Sequence, residues 1–231
     1  MKKIQRLVSV FILLLIVLQA ESMAGETGVK RHTWVELRDK NVVKQQLDAS
    51  CGAAALTTLM AHYFGEETVE KEILDILKVR HKNLTKKELA RKKKNGFSLL
   101  DLKYAAQQRG YKAAGFKLTF EQLRQLTAPV IVYVKPFGYH HFAVLRGIAG
   151  DRVFLADPSR GNLRLSAAHF QEEYGGIIFV LGKAGEENIV NYPLALSRPD
   201  DYVRPDLRRL NNSINSFQNH TINLTLRARL R

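Results

Sequence analysis

Gln45-Gln46-Leu47-Asp48-Ala49-Ser50-Cys51-Gly52-Ala53-Ala54-Ala55-Leu56 contains the single cysteine of a 231-residue chain. The small residues after Cys51 predict a helix that opens at the sulfur and packs closely on a neighbour. A helix N-terminus carries partial positive charge and favours a reactive thiolate. A free cysteine is also, commonly, a small buried hydrophobe. The stretch alone therefore leaves two readings for Cys51, nucleophile or core residue.

The N-terminus reads as an export signal. Lys2, Lys3 and Arg6 precede the uncharged apolar run Leu7 to Leu18, and Ser22-Met23-Ala24 forms a small-x-small cleavage pattern before Gly25. Ala20 offers a second cleavage point, and retention of the segment as an anchor is the alternative. The run is about 12 residues long, short of the ~20 that span a bilayer. Removing 1–24 takes three basic residues and Glu21, leaving 33 basic against 21 acidic residues and a net charge of +12. Such an excess favours anionic surfaces or acidic partners. With no zinc-finger spacing, phosphate-binding loop or RNA-binding aromatic motif beside it, the reading expects no nucleic acid. In an exported chain a lone thiol cannot close an internal disulfide, so Cys51 needs another explanation.

Apolar periodicity divides the rest. A short strand is expected around Trp34-Val35-Glu36-Leu37, then helices over Cys51–Phe64 and Thr68–Val79. Lys78 to Lys94 holds nine basic residues and one acid, Glu88. It reads as a solvated face, or as a docking surface for an acidic partner or lipid headgroups. Ser98 caps a helix running to Arg109, and Thr119 to Gln122 resembles a capping box opening a helix to Leu126. Strands are expected over Tyr111–Leu118, Pro129–Lys135, His141–Ile148, Arg152–Ala156 and Ile177–Leu181, with a short helix from Ser166 to Glu173. Helices first and tightly linked strands later predict an α+β fold with an antiparallel sheet. From about Ser197 the chain reads as a weakly ordered basic tail, where Asn211, Asn219 and Asn223 sit in sequons.

A cysteine nucleophile needs a base, a group that orients the base, and oxyanion donors. Of the seven histidines, His140-His141 stands out because it opens the apolar strand His141-Phe142-Ala143-Val144-Leu145. Asp157-Pro158 closes the next strand. A turn at Ala149-Gly150-Asp151 brings Asp157 near His141, where the carboxylate can accept the imidazole Nδ1–H; an Asp-Pro pair is equally a common turn former. The Cys51 N–H and the side-chain amide of Gln45 or Gln46 are candidate oxyanion donors.

Taken in order, these residues resemble the bacteriocin-processing, double-glycine-leader cysteine peptidases, a papain-like family. The resemblance runs through Gly96-Phe97-Ser98-Leu99-Leu100, Pro129-Val130-Ile131, the His141 strand, Val153-Phe154-Leu155-Ala156-Asp157-Pro158 and Phe170 to Ile177, about residues 42–181. It implies Cys51 as nucleophile, His141 as general base and acid, Asp157 as the orienting group and Gln45, six residues before the cysteine, as oxyanion donor. It also implies a papain-like domain over 42–182, after a signal (1–24) and a lead-in (25–41) and before a basic polar tail (183–231), with no cofactor and no metal.

Ser50 stands where many transporter-fused members carry an acid, and Tyr174 where tryptophan is common. The chain stands alone behind its signal, closest to the exported peptidase-like component of functional-amyloid secretion operons. The implied activity is periplasmic cleavage of a leader or linker peptide after small, Gly-Gly-like residues. Implied partners are that peptide substrate, secretion-system components, an anionic surface through Lys78–Lys94, and a membrane only if the signal is kept. The competing readings are a noncatalytic escort module and an acyl transferase using the same residues.

Overall fold

The second half of the chain folds as one six-stranded sheet; helices from the first half cover one face, and two short helices between the strands cover the other. The computed structural model describes residues 32–184, 186 and 189–196. From Val35 onward these belong to one compact unit. The signal, the lead-in up to residue 31 and the tail from Ser197, with its sequons, lie outside the described residues. The helices are α1 (Trp34–Asp39), α2 (Cys51–His62), α3 (Glu70–Arg80), α4 (Lys86–Asn95), α5 (Leu99–Gln108), α6 (Phe120–Leu123) and α7 (Ala167–Glu173). The strands are β1 (Lys112–Lys117), β2 (Val130–Val134), β3 (His141–Ala149), β4 (Arg152–Asp157), β5 (Gly161–Ser166) and β6 (Tyr174–Gly182). They lie in the order β1-β6-β2-β3-β4-β5, each neighbouring pair antiparallel. The α+β class expected from the sequence is what the chain forms. Among the described residues no helix is long and apolar enough to cross a membrane.

Alternation along the strands separates two apolar layers. Ile131, Val144, Ala156 and Phe179 meet Leu56, Leu59, Ile73, Leu77 and Leu102 of α2, α3 and α5. Val132, Ala143, Leu145 and Leu155 face the other way, against Phe120, Leu123 and Phe170 of α6 and α7. Each fully buried Leu or Ile contributes about 1.5–3 kcal/mol. The small residues of α2 let it sit close: a Cβ on Gly52 would lie 3.1 Å from Leu102 and 3.3 Å from Phe142.

One expected element is corrected. Trp34–Leu37 is the start of helix α1, with no strand there. Its terminal carbonyls find a side-chain donor instead of a ladder: Asn162 Nδ2 donates to Leu37 O at 3.3 Å and to Lys40 O at 2.8 Å. The α1 end presses on the β4–β5 turn so tightly that a Cβ on Gly161, itself at φ +86°, would meet Arg38 and Asp39 at 2.7 Å. Strand β5 and the 3₁₀ turn Pro136–Gly138 are additions to the expected elements, and α6 ends at Leu123, short of Leu126.

Beyond Gly182 the chain keeps packing on the domain. Leu194 is fully buried, and Arg146 donates through Nε to Leu194 O at 2.9 Å and through Nη1 to Asn162 Oδ1 at 2.7 Å. Arg146 lies in a bulge of β3, between the pairs Leu145↔Leu155 and Gly147↔Phe154.

The basic stretch 78–94 divides between the end of α3, a turn, and α4. Helix α4 buries no residue and is opened by a Thr85/Glu88 capping box. Lys92 returns from it to Asp101, a buried carboxylate that also meets Arg80 Nε at 3.1 Å and His81 Nε2 at 2.9 Å while boxing the start of α5 with Ser98. Burial opposes its charge, but these donors hold its pKa well below the usual carboxylate range. Asp101→Ala strands partly exposed cations and removes a cap. It is expected to lower the unfolding free energy in urea by about 2–4 kcal/mol; a loss under about 1 kcal/mol would contradict this account of the α4–α5 junction.

Candidate active site

Whether His141 and Asp157 can meet is decided by the bulge at Arg146. Past it the register is Val144↔Ala156, which carried one step further sets Asp157 opposite Ala143. Asp157 then shares a face with His141, as its diagonal neighbour. Had the ladder run on through Arg146 without a bulge, Asp157 would stand opposite Val144 and face away from His141. The observed contact is His141 Nε2 to Asp157 Oδ1 at 3.0 Å. The sequence reading expected Nδ1 at the carboxylate; the ring presents Nε2 there instead, and Cys51 acts on the same imidazole, favouring its protonated form. His140 projects to the opposite side of β3, where its ring stacks on Tyr133 with centroids 5.7 Å apart.

Asp157 is fully buried and also forms the turn. Its Oδ1 accepts from Ser159 N at 2.8 Å and Arg160 N at 2.9 Å, and its Oδ2 from Arg160 Nε at 2.9 Å. Turn former and imidazole partner are therefore one role of the same side chain. Burial opposes its charge, but the His141 hydrogen bond and the His141 and Arg160 charges lower its pKa to about 2. Burial likewise opposes protonation of His141, and the bonds and charges of Asp157 and Cys51 overcome it, raising the imidazole to about 9.

Cys51 is buried at the first position of α2. Ser50 precedes it but does not cap the helix: its hydroxyl donates to Leu47 O at 2.9 Å and accepts from Leu47 N at 3.1 Å. The first-turn N–H groups of α2 therefore have no side-chain cap, an arrangement suited to a developing oxyanion.

Gln45 is tied to the acid's turn through its backbone, which donates to Pro158 O at 3.0 Å, while Lys44 Nζ donates to Ser159 O at 2.6 Å. Its amide, however, points into its own loop: Nε2 donates to Leu47 O at 3.0 Å and Asp48 O at 3.3 Å, and the buried Oε1 has no partner. Gln46 is exposed, and its backbone N–H donates to Glu70 Oε2 at 2.9 Å. Sequence reasoning passed over Arg160 and Glu173, which sit behind Asp157; the signal available was an Asp-Pro-x-x turn with a charged fourth residue. Among the described residues no cluster of three or more His, Cys, Asp or Glu side chains could hold a metal ion. A thiol, an imidazole and a carboxylate in line can carry nucleophilic attack on a carbonyl and proton transfer to a leaving group.

Comparisons with known proteins agree with this chemistry. A model of the peptidase C39 family matches residues 76–186, a span that holds His141 and Asp157 and begins after Cys51. The chain is 34% identical over 182 residues to a probable functional amyloid protease, FapD, of Pseudomonas fluorescens, a match covering 74% of this chain and 78% of that one. A probable functional amyloid protease of Pseudomonas aeruginosa is 34% identical over 146 residues, covering 63% of this chain and 62% of the relative, so the match spans less than two thirds of that relative's length. Among solved structures, the peptidase domain of Streptococcus ComA, a bi-functional ABC transporter, superposes with a TM-score of 0.50 at 24% identity, over 62% of this chain and 97% of that domain; this likeness speaks to the fold.

Proposed function

We propose that this chain, which belongs to the peptidase C39 family and is a cysteine peptidase, works outside the cytoplasm as an endopeptidase that cuts a leader or linker peptide after small, Gly-Gly-like residues. The observation that carries the reading is the line Cys51–His141–Asp157 at the head of a helix whose first N–H groups have no side-chain cap. The relatives described as functional amyloid proteases support a substrate made by an amyloid secretion system. The apolar run behind a basic N-terminus supports export.

In this reading Cys51 Sγ attacks the scissile carbonyl carbon as a thiolate, and the carbonyl electron pair moves onto oxygen. The Cys51 N–H and the Gln45 amide receive that charge, once Gln45 Nε2 turns from the Leu47 and Asp48 carbonyls. His141 Nδ1–H protonates the leaving amine as the C–N bond breaks. Water then attacks the thioester, giving a proton to His141, and the acid product leaves with Cys51 regenerated. Asp157 holds the Nε2–H throughout and keeps Nδ1 aimed at sulfur.

Peptides that differ only in the two residues before the cut test the specificity. Gly-Gly is expected to be cleaved about 100-fold faster than Leu-Leu, because the bulkier pair clashes in a cleft shaped for small residues. Equal rates by mass spectrometry, or cuts elsewhere, would overturn it. Recovery of the cellular protein in the exported fraction with Gly25 as its first residue tests the location; recovery in the cytoplasm with Met1 retained contradicts it.

A further inference from the structure

We propose that Arg160 and Glu173 are positioning residues for Asp157, a charge pair behind the carboxylate that sets how firmly it holds His141; this rests on the active-site reading above.

The turn needs no arginine. Oδ1 of Asp157 is fixed by the Ser159 and Arg160 backbone N–H groups, which any residues there would supply. The Arg160 side chain does something else: its Nε donates to Oδ2 at 2.9 Å, pinning the second oxygen with a full positive charge. Alone, that charge would neutralise Asp157 and weaken its pull on the imidazole. Glu173 supplies the counterweight. Its Oε2 lies 3.8 Å from Arg160 Nη2, and neither atom has a hydrogen-bond partner although both are buried. Their interaction is therefore coulombic, drawing part of the guanidinium charge away from Asp157. A buried carboxylate in so loose a pair is costly, yet it is held there firmly: the Glu173 carbonyl accepts from Lys135 N at 2.7 Å, locking the end of α7 to the end of β2.

Other charged groups around this set are few. Cys51 faces His141 from α2. Lys44 reaches Ser159 O and lies 3.6 Å from Asp39. On α7, His169 stands 3.3 Å from Glu173 Oε1 and 3.5 Å from Glu172. Among the described residues no further basic side chain pairs with the Asp157 carboxylate besides Arg160 and His141.

The opposite charges give opposite signs. Arg160→Met leaves Oδ1 in place and removes a cation, so the His141 imidazole should hold its proton more strongly. Glu173→Gln frees the whole guanidinium charge to act on Asp157, so the imidazole should hold its proton less strongly. NMR titration of the His141 ring in the full chain, its signal identified by loss in His141→Gln, is expected to show the midpoint about half a pH unit higher in Arg160→Met and about half a unit lower in Glu173→Gln. Arg160→Lys keeps the charge and should stay near wild type. Midpoints that do not move, or that move together, overturn the proposal, since a role confined to packing predicts no sign. The titration uses no substrate: opposite shifts in a chain that cuts nothing would sink the peptidase reading alone, and unmoved midpoints in a cleaving enzyme would sink this one.

Discussion

Cys51→Ala is expected to fold normally and cut nothing. Peptide cleavage should fall at least about 10⁴-fold, to the background left by binding and oxyanion donors alone. Stability should change by no more than about 1 kcal/mol, the scale of a small substitution that breaks no buried network. The reason for the asymmetry is local. Cys51 opens α2 beside Gly52 and three fully buried alanines, so one more alanine suits the tight face presented to Leu102 and Phe142. The sulfur is the group that acts on the His141 imidazole, and no other thiol exists to replace it. Cleavage rates by chromatography and melting temperatures on the same preparations separate the two effects. Cleavage within tenfold of wild type, in a chain with no second cysteine, would remove Cys51 as nucleophile.

The candidate site residues could be picked out in the sequence because each stands at an element boundary marked by its own local signal. Cys51 follows a break and opens a small-residue helix, His141 starts a strand, and Asp157 ends one before a proline. The geometry between them was not legible. It depends on the β3 bulge at Arg146; an isolated glycine, Gly147, hints at a bulge but does not fix the register, and the bulge is held by bonds to Leu194 and Asn162, far away in sequence. Which imidazole nitrogen meets Asp157 follows from ring placement, so the Nδ1 expectation had only general habit behind it. Strand β5 was written in the alternation Asn162-Leu163-Arg164-Leu165-Ser166, but its turn signal and the following helix cap crowd it. At Trp34–Leu37, three apolar residues around Glu36 suit a strand and a helix alike, and the stretch forms the start of α1, whose end packs on Gly161. Serine is a common helix cap, but the fold turns the Ser50 hydroxyl back onto Leu47.

His141→Ala should cost about 10³-fold or more in cleavage, because one ring serves as acid in the first half of the reaction and base in the second. Its larger diagnostic value lies in pH. The folded imidazole titrates near about 9, above its ordinary 6.5, since Asp157 and Cys51 outweigh burial. A raised pKa stabilises the fold fully below the ordinary value, and that contribution is lost as pH climbs through about 9. Asp157 runs the other way: lowered from 3.8 to about 2, it stabilises fully above the ordinary value and loses its share as pH falls through about 2. Both contributions are therefore whole between about pH 4 and about pH 6.5. Wild type should melt highest in that window, losing stability towards alkaline pH along with its activity, as His141 gives up the proton the leaving amine needs. Replacing His141 removes the alkaline part of that slope outright. It only shrinks the acid part, because Arg160 and two backbone N–H groups still favour the ionised Asp157. Melting curves of the two proteins that run parallel from about pH 5 to about pH 9.5 would show that His141 carries no proton for the fold, and with it the charged form on which the proposed cleavage depends.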